Sequence, residues 1–296
     1  MTMFETRPLN GAFGVEITGG LDVLTPLTPA QIAEIDRLMD ENALVLIRNQ
    51  PMDVDQQLTW TRQFGPLDQG FKKVIAKGST PQKYDEVGDI SNLSKDGQVA
   101  ARTDKRILNN IANQLWHSDS SFQKPAAKYS MLHSVRNPSW GGETEYTDLR
   151  AAYDALPDRM KDFLDGKIAE HFALHSRFLL GDDSYSTEQI AAIPPAHWPV
   201  VRENPATGRK HLFIGVHARS IEGMTVPEGR MILMDLLEHA TQPQFIYRHE
   251  WEVGDTLIWD NRQTLHRGRH YDLDEPRELR RTTTLDDRAP ELEMAS

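Results

Sequence analysis

Cysteine is missing altogether from the 296 residues. Its absence rules out disulfides, thiolate-based zinc or iron–sulfur sites and any cysteine nucleophile. Positive charge is scarce as well: 33 Lys and Arg face 44 Asp and Glu, a formal net charge of −11. Nucleic acid and anionic membrane both need a basic footprint, so neither is an expected partner, and only a local basic pocket for a small anion stays open. No apolar run approaches the ~20 residues of a membrane span. The opening MTMFETRPLNGAF lacks the charged-then-apolar order of a signal peptide. A cytoplasmic location is expected. Several enzyme signatures are absent too: there is no GxxxxGK(S/T), no GxGxxG after a strand, no GxSxG and no HExxH.

The 19 glycines and 17 prolines are spread along the chain without repeats or a linker, which predicts one domain over residues 1–296. Thr28-Pro29 followed by Gln31 has the form of a capping box, so a helix is expected across 29–41. Asp148 can cap a segment burying Leu149, Ala152, Tyr153 and Leu156, and a second helix runs from Asp158 to a stop at Gly166. Pro227 to His239 also reads as a helix, with Met231, Met234 and Leu237 on its apolar side. The remaining apolar stretches are short and β-like: 43–47, 129–135, 210–215, 244–251, 256–259 and 279–285. In the fourth, Phe245, Tyr247, His249 and Trp251 alternate with Ile246, Arg248 and Glu250. No regular β-helix-β alternation appears, so a β-sandwich or jelly roll with a few flanking helices is expected.

Histidine is what this thiol-free chain offers for metal chemistry, with 11 copies. Two histidines and one carboxylate can hold Fe(II) on one side and leave positions open for a chelating cosubstrate and O2. In a β scaffold two such ligands can come from i and i+2, because that spacing shares a face. His-x-Asp occurs at His117/Asp119 and at His270/Asp272, against about 1.6 His-x-Asp/Glu matches expected by chance. The second lies in RGRHYDLDEP, where a solvated histidine is the ordinary expectation. The first follows the apolar Ile111–Trp116, where the choice is between a metal ligand and a satisfied buried histidine. His266 comes after the apolar strand 256–259, at a position expected to be a rim beyond the strand's end. If 277–285 is a strand, Arg277, Leu279, Arg281 and Thr283 share one face and Arg280 points the other way. Two arginines facing a jelly-roll interior need an anion, unless that face is exposed or neighbouring acids pair them.

WHSDSSF, GGETEYTD, WDNRQTLHRGRHYD and RELRRTTTLDD, in this order, resemble the Fe(II)/2-oxoglutarate-dependent dioxygenases of the taurine dioxygenase superfamily, within it the branch acting on aryloxyacetates. The likeness runs from about Leu9 to Asp287 and includes stretches such as DLRAAYDALP and SRFLLGD that carry no chemistry. It implies a double-stranded β-helix, a form of jelly roll, that is mainly β with flanking helices. It also implies Fe(II) as metal, 2-oxoglutarate and O2 as cosubstrates, a small-molecule aryloxy acid as substrate and a homo-oligomer. Matched residue by residue, it puts the metal on His117, Asp119 and His266, the 2-oxoglutarate contacts on Thr144 and Arg277, and the substrate's anionic group on Arg281. Lys73 matches a basic residue near that group, with Lys72 as the competing candidate. His217 matches a histidine near the substrate or metal, with a core histidine as the alternative. Asn204 stands where that branch has a histidine, which bears on which acid fits. Other substrates compatible with the same chemistry are an alkylsulfonate, an alkyl sulfate or a natural aryl acid; a metal-free jelly roll that merely captures an anion is the reading from a different class.

Overall fold

The helix expected over 29–41 runs from Pro29 to Asn42 (α1) in a computed structural model that describes residues 3–9, 11, 13–69, 84–94, 96–104, 107 and 110–286. Its capping box is formed: the Thr28 hydroxyl accepts from the Gln31 amide and the Gln31 side chain accepts from the Thr28 amide. Among the described residues α2 (Val54–Thr61), α3 (Leu149–Asp154), α4 (Asp158–Leu164), α5 (His175–Leu179), α6 (Thr187–Ala191) and α7 (Val226–Ala240) follow. Asp148 caps α3 as expected, accepting from the amides of Arg150 and Ala151. On α7 Leu237 packs partly buried against the core as expected, but the two methionines do not. Met231 and Met234 are 55% and 61% exposed, whereas Gly229, Leu233, Leu236 and Ala240 are buried. Gly229 decides this, because a Cβ there would meet the Ile221 backbone nitrogen at 2.8 Å, so only this face can approach so closely. None of these helices is long and apolar enough to cross a membrane.

The strands build two facing sheets. The larger has the order β1 (Glu5–Pro8), β2 (Val15–Gly19), β3 (Leu44–Ile47), β13 (Thr256–Asp260), β5 (Ala127–Arg136), β15 (Glu278–Leu285) and β4 (Gly88–Ser91). The smaller has β12 (Ile246–His249), β6 (Thr144–Asp148) and β14 (Thr264–Gly268). Pairing is antiparallel except for β2 with β3, which α1 connects. Two satellite sheets, β11 (Ala218–Ile221) with β7 (Ile168–His171) and β8 (Ala196–Pro199), and β9 (Val201–Glu203) with β10 (Lys210–Leu212), lie beside them. The arrangement is the expected mainly β jelly roll with flanking helices.

Period-2 alternation sorts the large sheet's side chains between two cores. Leu44, Leu46, Leu132, Leu257, Trp259 and Leu279 face inward and pack with Tyr146 and Tyr247 of the small sheet. Val45, Ile47, Met131 and Ile258 face outward onto Ile35, Leu38 and Met39 of α1. Arg281 follows Leu279 on the inward face of β15. Arg280 points to the other side, buried, and donates to the Met52 carbonyl.

Candidate metal centre

His266 lies within β14, not in a connection beyond a strand's end: the apolar run 256–259 is followed by a tight corner at Asn261–Gln263, and pairing resumes with Thr264 opposite Asp148, which sets His266 opposite Tyr146. His117 sits outside the named strands but is joined to His266 by an isolated antiparallel bridge. The amide of each donates to the carbonyl of the other, at 3.0 and 2.9 Å. Asp119 follows in the turn 118–123, whose Ser120 has φ 48°.

His117, Asp119 and His266 are all buried and offer one donor atom each within 4.8 Å of one another. Nε2 of His117 is 3.9 Å from Asp119 Oδ1, and Nε2 of His266 is 3.9 Å from Asp119 Oδ2. His117 Nδ1 lies 2.7 Å from the Leu115 carbonyl, to which it donates, and this tautomer leaves the Nε2 lone pair facing the carboxylate. Burial pushes His117 down from its usual pKa, and burial together with the adjacent His117 pushes His266 well down, so both rings are neutral donors. Burial alone would raise Asp119, but the positive field of Arg281 and a Ser130 hydrogen bond hold its carboxyl at about 2. A nitrogen–nitrogen–oxygen set in this protonation state fits Fe(II).

Thr144 opens β6, is buried, and its hydroxyl accepts from the Trp251 indole at 3.0 Å. Arg277 just precedes β15 and is also buried. Its Nη2 donates to the Gly142 carbonyl at 2.9 Å, while its Nε is buried without a hydrogen-bond partner among the described residues. Gly142 permits this approach: its φ is +76°, and a Cβ there would meet Arg277 Nε at 2.9 Å. Asn92 accepts from the Arg277 amide at 2.8 Å. Arg281, a quarter exposed, donates through Nη1 to Asp119 Oδ1. His117, His266, Thr144, Arg277 and Arg281 line one small cavity of about 70 Å³, with Leu132 and Trp259 in its wall. A larger cavity of about 440 Å³ between α1 and β9 contains none of them; Asn204 is there, donating to Asp40.

His217 is buried between β10 and β11, with its ring 6.4 Å from that of His117 and 4.8 Å from that of Phe122. It is a neighbour of the three-residue cluster and not a member. Lys73 and Lys72 lie outside the described residues. His270 is exposed, as expected of the second His-x-Asp pair. Sequence reasoning missed Gly142, Trp251, Ser130 and Asn261. The first sits in the quoted GGET, where paired glycines before a strand signal unusual backbone; the others carry no local signal.

Residues 5–283 match the model of the taurine catabolism dioxygenase TauD, TfdA family. The alpha-ketoglutarate-dependent 2,4-dichlorophenoxyacetate dioxygenase of Cupriavidus pinatubonensis is 55% identical, over 95% of this chain and 97% of that protein. The (S)-phenoxypropionate/alpha-ketoglutarate-dioxygenase of Sphingobium herbicidovorans is 33% identical over 99% and 98%. The crystal structure of AAD-2 in complex with Mn(II) and N-oxalylglycine superposes with a TM-score of 0.87 at 39% identity, over 95% of this chain and 96% of that one. With the jelly-roll core and the buried His-Asp-His cluster, this chain belongs to the taurine catabolism dioxygenase TauD, TfdA family and is a 2-oxoglutarate-dependent dioxygenase that uses Fe(II) and O2.

Proposed function

We propose that the enzyme hydroxylates the side-chain carbon next to the ether oxygen of an aryloxyacetate such as 2,4-dichlorophenoxyacetate, with His117, Asp119 and His266 as the metal ligands. The observation that carries the reading is that Arg277, just before β15, and Arg281, four residues on within it, line the cavity that also exposes His117 and His266. Bound Fe(II) supplies O2 activation coupled to oxidative decarboxylation of 2-oxoglutarate to succinate and CO2. Arg277 offers a planar guanidinium to the far carboxylate of 2-oxoglutarate, and Thr144 offers a hydroxyl beside it. Arg281 holds the substrate carboxylate so that the methylene faces the metal. His217, and Lys73 outside the described residues, are the further substrate-side candidates. Hydroxylation of that carbon gives a hemiacetal, which collapses to a phenol and glyoxylate. The 55% identity to a 2,4-dichlorophenoxyacetate dioxygenase over nearly the whole of both chains supports this substrate class.

An O2-uptake screen of the iron-loaded protein with 2-oxoglutarate against aryloxyacetates, aryloxypropionates, taurine and alkyl sulfates tests the proposal. Phenol and succinate released in equal amounts from an aryloxyacetate is the expected result. Uptake stimulated only by taurine or an alkyl sulfate would overturn the substrate while leaving the chemistry. The reading extends to a cytoplasmic homo-oligomer with a single catalytic domain over 1–296, which light scattering and limited proteolysis check.

A further inference from the structure

Asp119 sits on a turn, yet a metal ligand must hold its carboxylate in one orientation. The Asn261 side chain reaches it across the corner between β13 and β14. Asn261 Oδ1 lies 3.0 Å from the Asp119 amide nitrogen and 2.9 Å from the Trp259 indole nitrogen. Both of those groups can only donate, so this end of the Asn261 side chain must be its oxygen. The amide nitrogen is thereby aimed at Ser130 Oγ on β5, 2.9 Å away. Ser130 Oγ is in turn 2.7 Å from Asp119 Oδ2 and 2.9 Å from the Thr283 hydroxyl on β15.

The proton assignment is then determined. A carboxylate that ligates a metal only accepts, so Ser130, whose Oγ lies 2.7 Å from Oδ2, spends its single proton there. Its two lone pairs take the Asn261 N–H and the Thr283 O–H, which leaves its hydrogen-bonding capacity full. The ring closes: Asp119 amide to Asn261, Asn261 to Ser130, Ser130 to the Asp119 carboxylate. Ser118 adds a further tie, donating to the Asn261 carbonyl at 2.7 Å. Ser130, Asn261 and Ser118 are each at most 1% exposed, so water cannot substitute for a missing partner.

We propose that Ser130 and Asn261 are positioning residues for the metal site: they fix both the main chain and the carboxylate rotamer of Asp119 against the rigid barrel wall, and so set the affinity and geometry of the bound metal. This rests on the assignment of His117, Asp119 and His266 as ligands. Trp259, besides packing its ring 4.5 Å from that of His266, sets the direction of the ring of hydrogen bonds through its indole N–H.

The test is Mn(II) titration, followed by electron paramagnetic resonance of the free ion, and the visible absorption of the Co(II)-loaded protein, on wild type, S130A, S130T and D119A. Loss of such an outer partner typically weakens metal binding by about 10–100-fold. S130A is expected to fall in that range with a changed Co(II) spectrum, and S130T, which keeps the hydroxyl, to stay within about threefold of wild type and recover the spectrum. S130A that melts like wild type and keeps its Mn(II) affinity and Co(II) spectrum would overturn the inference. Should S130A not fold, the near-isosteric S130C, a weak donor, must still lose Mn(II) affinity; wild-type affinity there overturns the inference equally. D119A separates the two levels: if it binds Mn(II) as wild type does, the ligand assignment itself fails, whereas its loss with S130A unchanged refutes only the positioning role.

Discussion

Gly142→Ala tests how the proposed 2-oxoglutarate site is held without touching a group that would contact the cosubstrate. The new methyl would lie 2.9 Å from Arg277 Nε, 3.4 Å from Arg277 Cδ and 3.5 Å from Pro138 Cγ. Neither neighbour gives way easily: Pro138 is a ring, and Arg277 is buried and tied through Nη2 to the Gly142 carbonyl. The backbone adds to the conflict, because φ +76° is left-handed and costs a non-glycine residue about 1–2 kcal/mol. For a chain of this size each kcal/mol lowers Tm by about 2–4 °C. If Arg277 swings out of register, the charge-assisted hydrogen bond proposed for the far carboxylate of 2-oxoglutarate is lost. At about 1.5–3 kcal/mol for such a bond, KM for 2-oxoglutarate rises by about 10- to 150-fold. At saturating 2-oxoglutarate kcat should change little, since the removed contact acts on binding. Steady-state O2 uptake with varied 2-oxoglutarate, alongside a melting curve and Mn(II) titration, reads all of this. A stable G142A protein with an unchanged KM for 2-oxoglutarate would refute the reasoning that the glycine makes room for Arg277.

Trp251→Phe keeps the ring against His249, 4.4 Å away, but removes the N–H that forces the Thr144 hydroxyl to accept. That hydroxyl's proton is then free to turn, and at about 1 kcal/mol a roughly fivefold higher KM for 2-oxoglutarate is expected, with the aryloxy acid KM unchanged; a shift in the latter alone would contradict it. Asp119→Ala should abolish succinate formation and Mn(II) binding while the fold persists, as circular dichroism would report. Stability should fall on acidification from pH 7 to 5. Burial lowers His133 to about 4 and His171 and His211 to about 3. In that interval the unfolded chain takes up protons that the folded one refuses, so folding stability present above the unfolded pKa near 6.5 drains away as pH falls toward the folded values. The loss is about 2 kcal/mol per histidine by pH 5, and for His133 it is enforced by the Met52 amide, which donates to Nε2 at 3.1 Å. Tm measured across this range should decline steadily; a flat profile would show that these rings are not held neutral.

Much of the site was legible in the chain because its pieces are local. His117 and Asp119 are two residues apart, and the alternation in RELRRTTTL puts Arg277 and Arg281 on one face and Arg280 on the other before any fold is known. The capping boxes at Thr28 and the Asp148 cap were equally local. The apolar face of α7 was not, since Met231 and Met234 are as hydrophobic as the residues that are buried; the close approach at Gly229 to Ile221 chose between them.

The amino-acid sequence by itself determined the chemistry available: no thiol, a net negative charge, imidazole and carboxylate as candidate metal donors, and two arginines four residues apart. Tertiary structure decided which of these meet. His266 reaches His117 only through a backbone bridge spanning 149 residues of chain (266 − 117), and Arg277 finds its place only because Gly142 has no side chain. Asn261, Ser130 and Thr283 form no pattern along the chain, yet the corner after β13 and the pairing of β5 with β15 bring them to one carboxylate. The physical reason is that periodicity encodes which way a side chain faces, whereas register and close packing between distant strands fix what it faces.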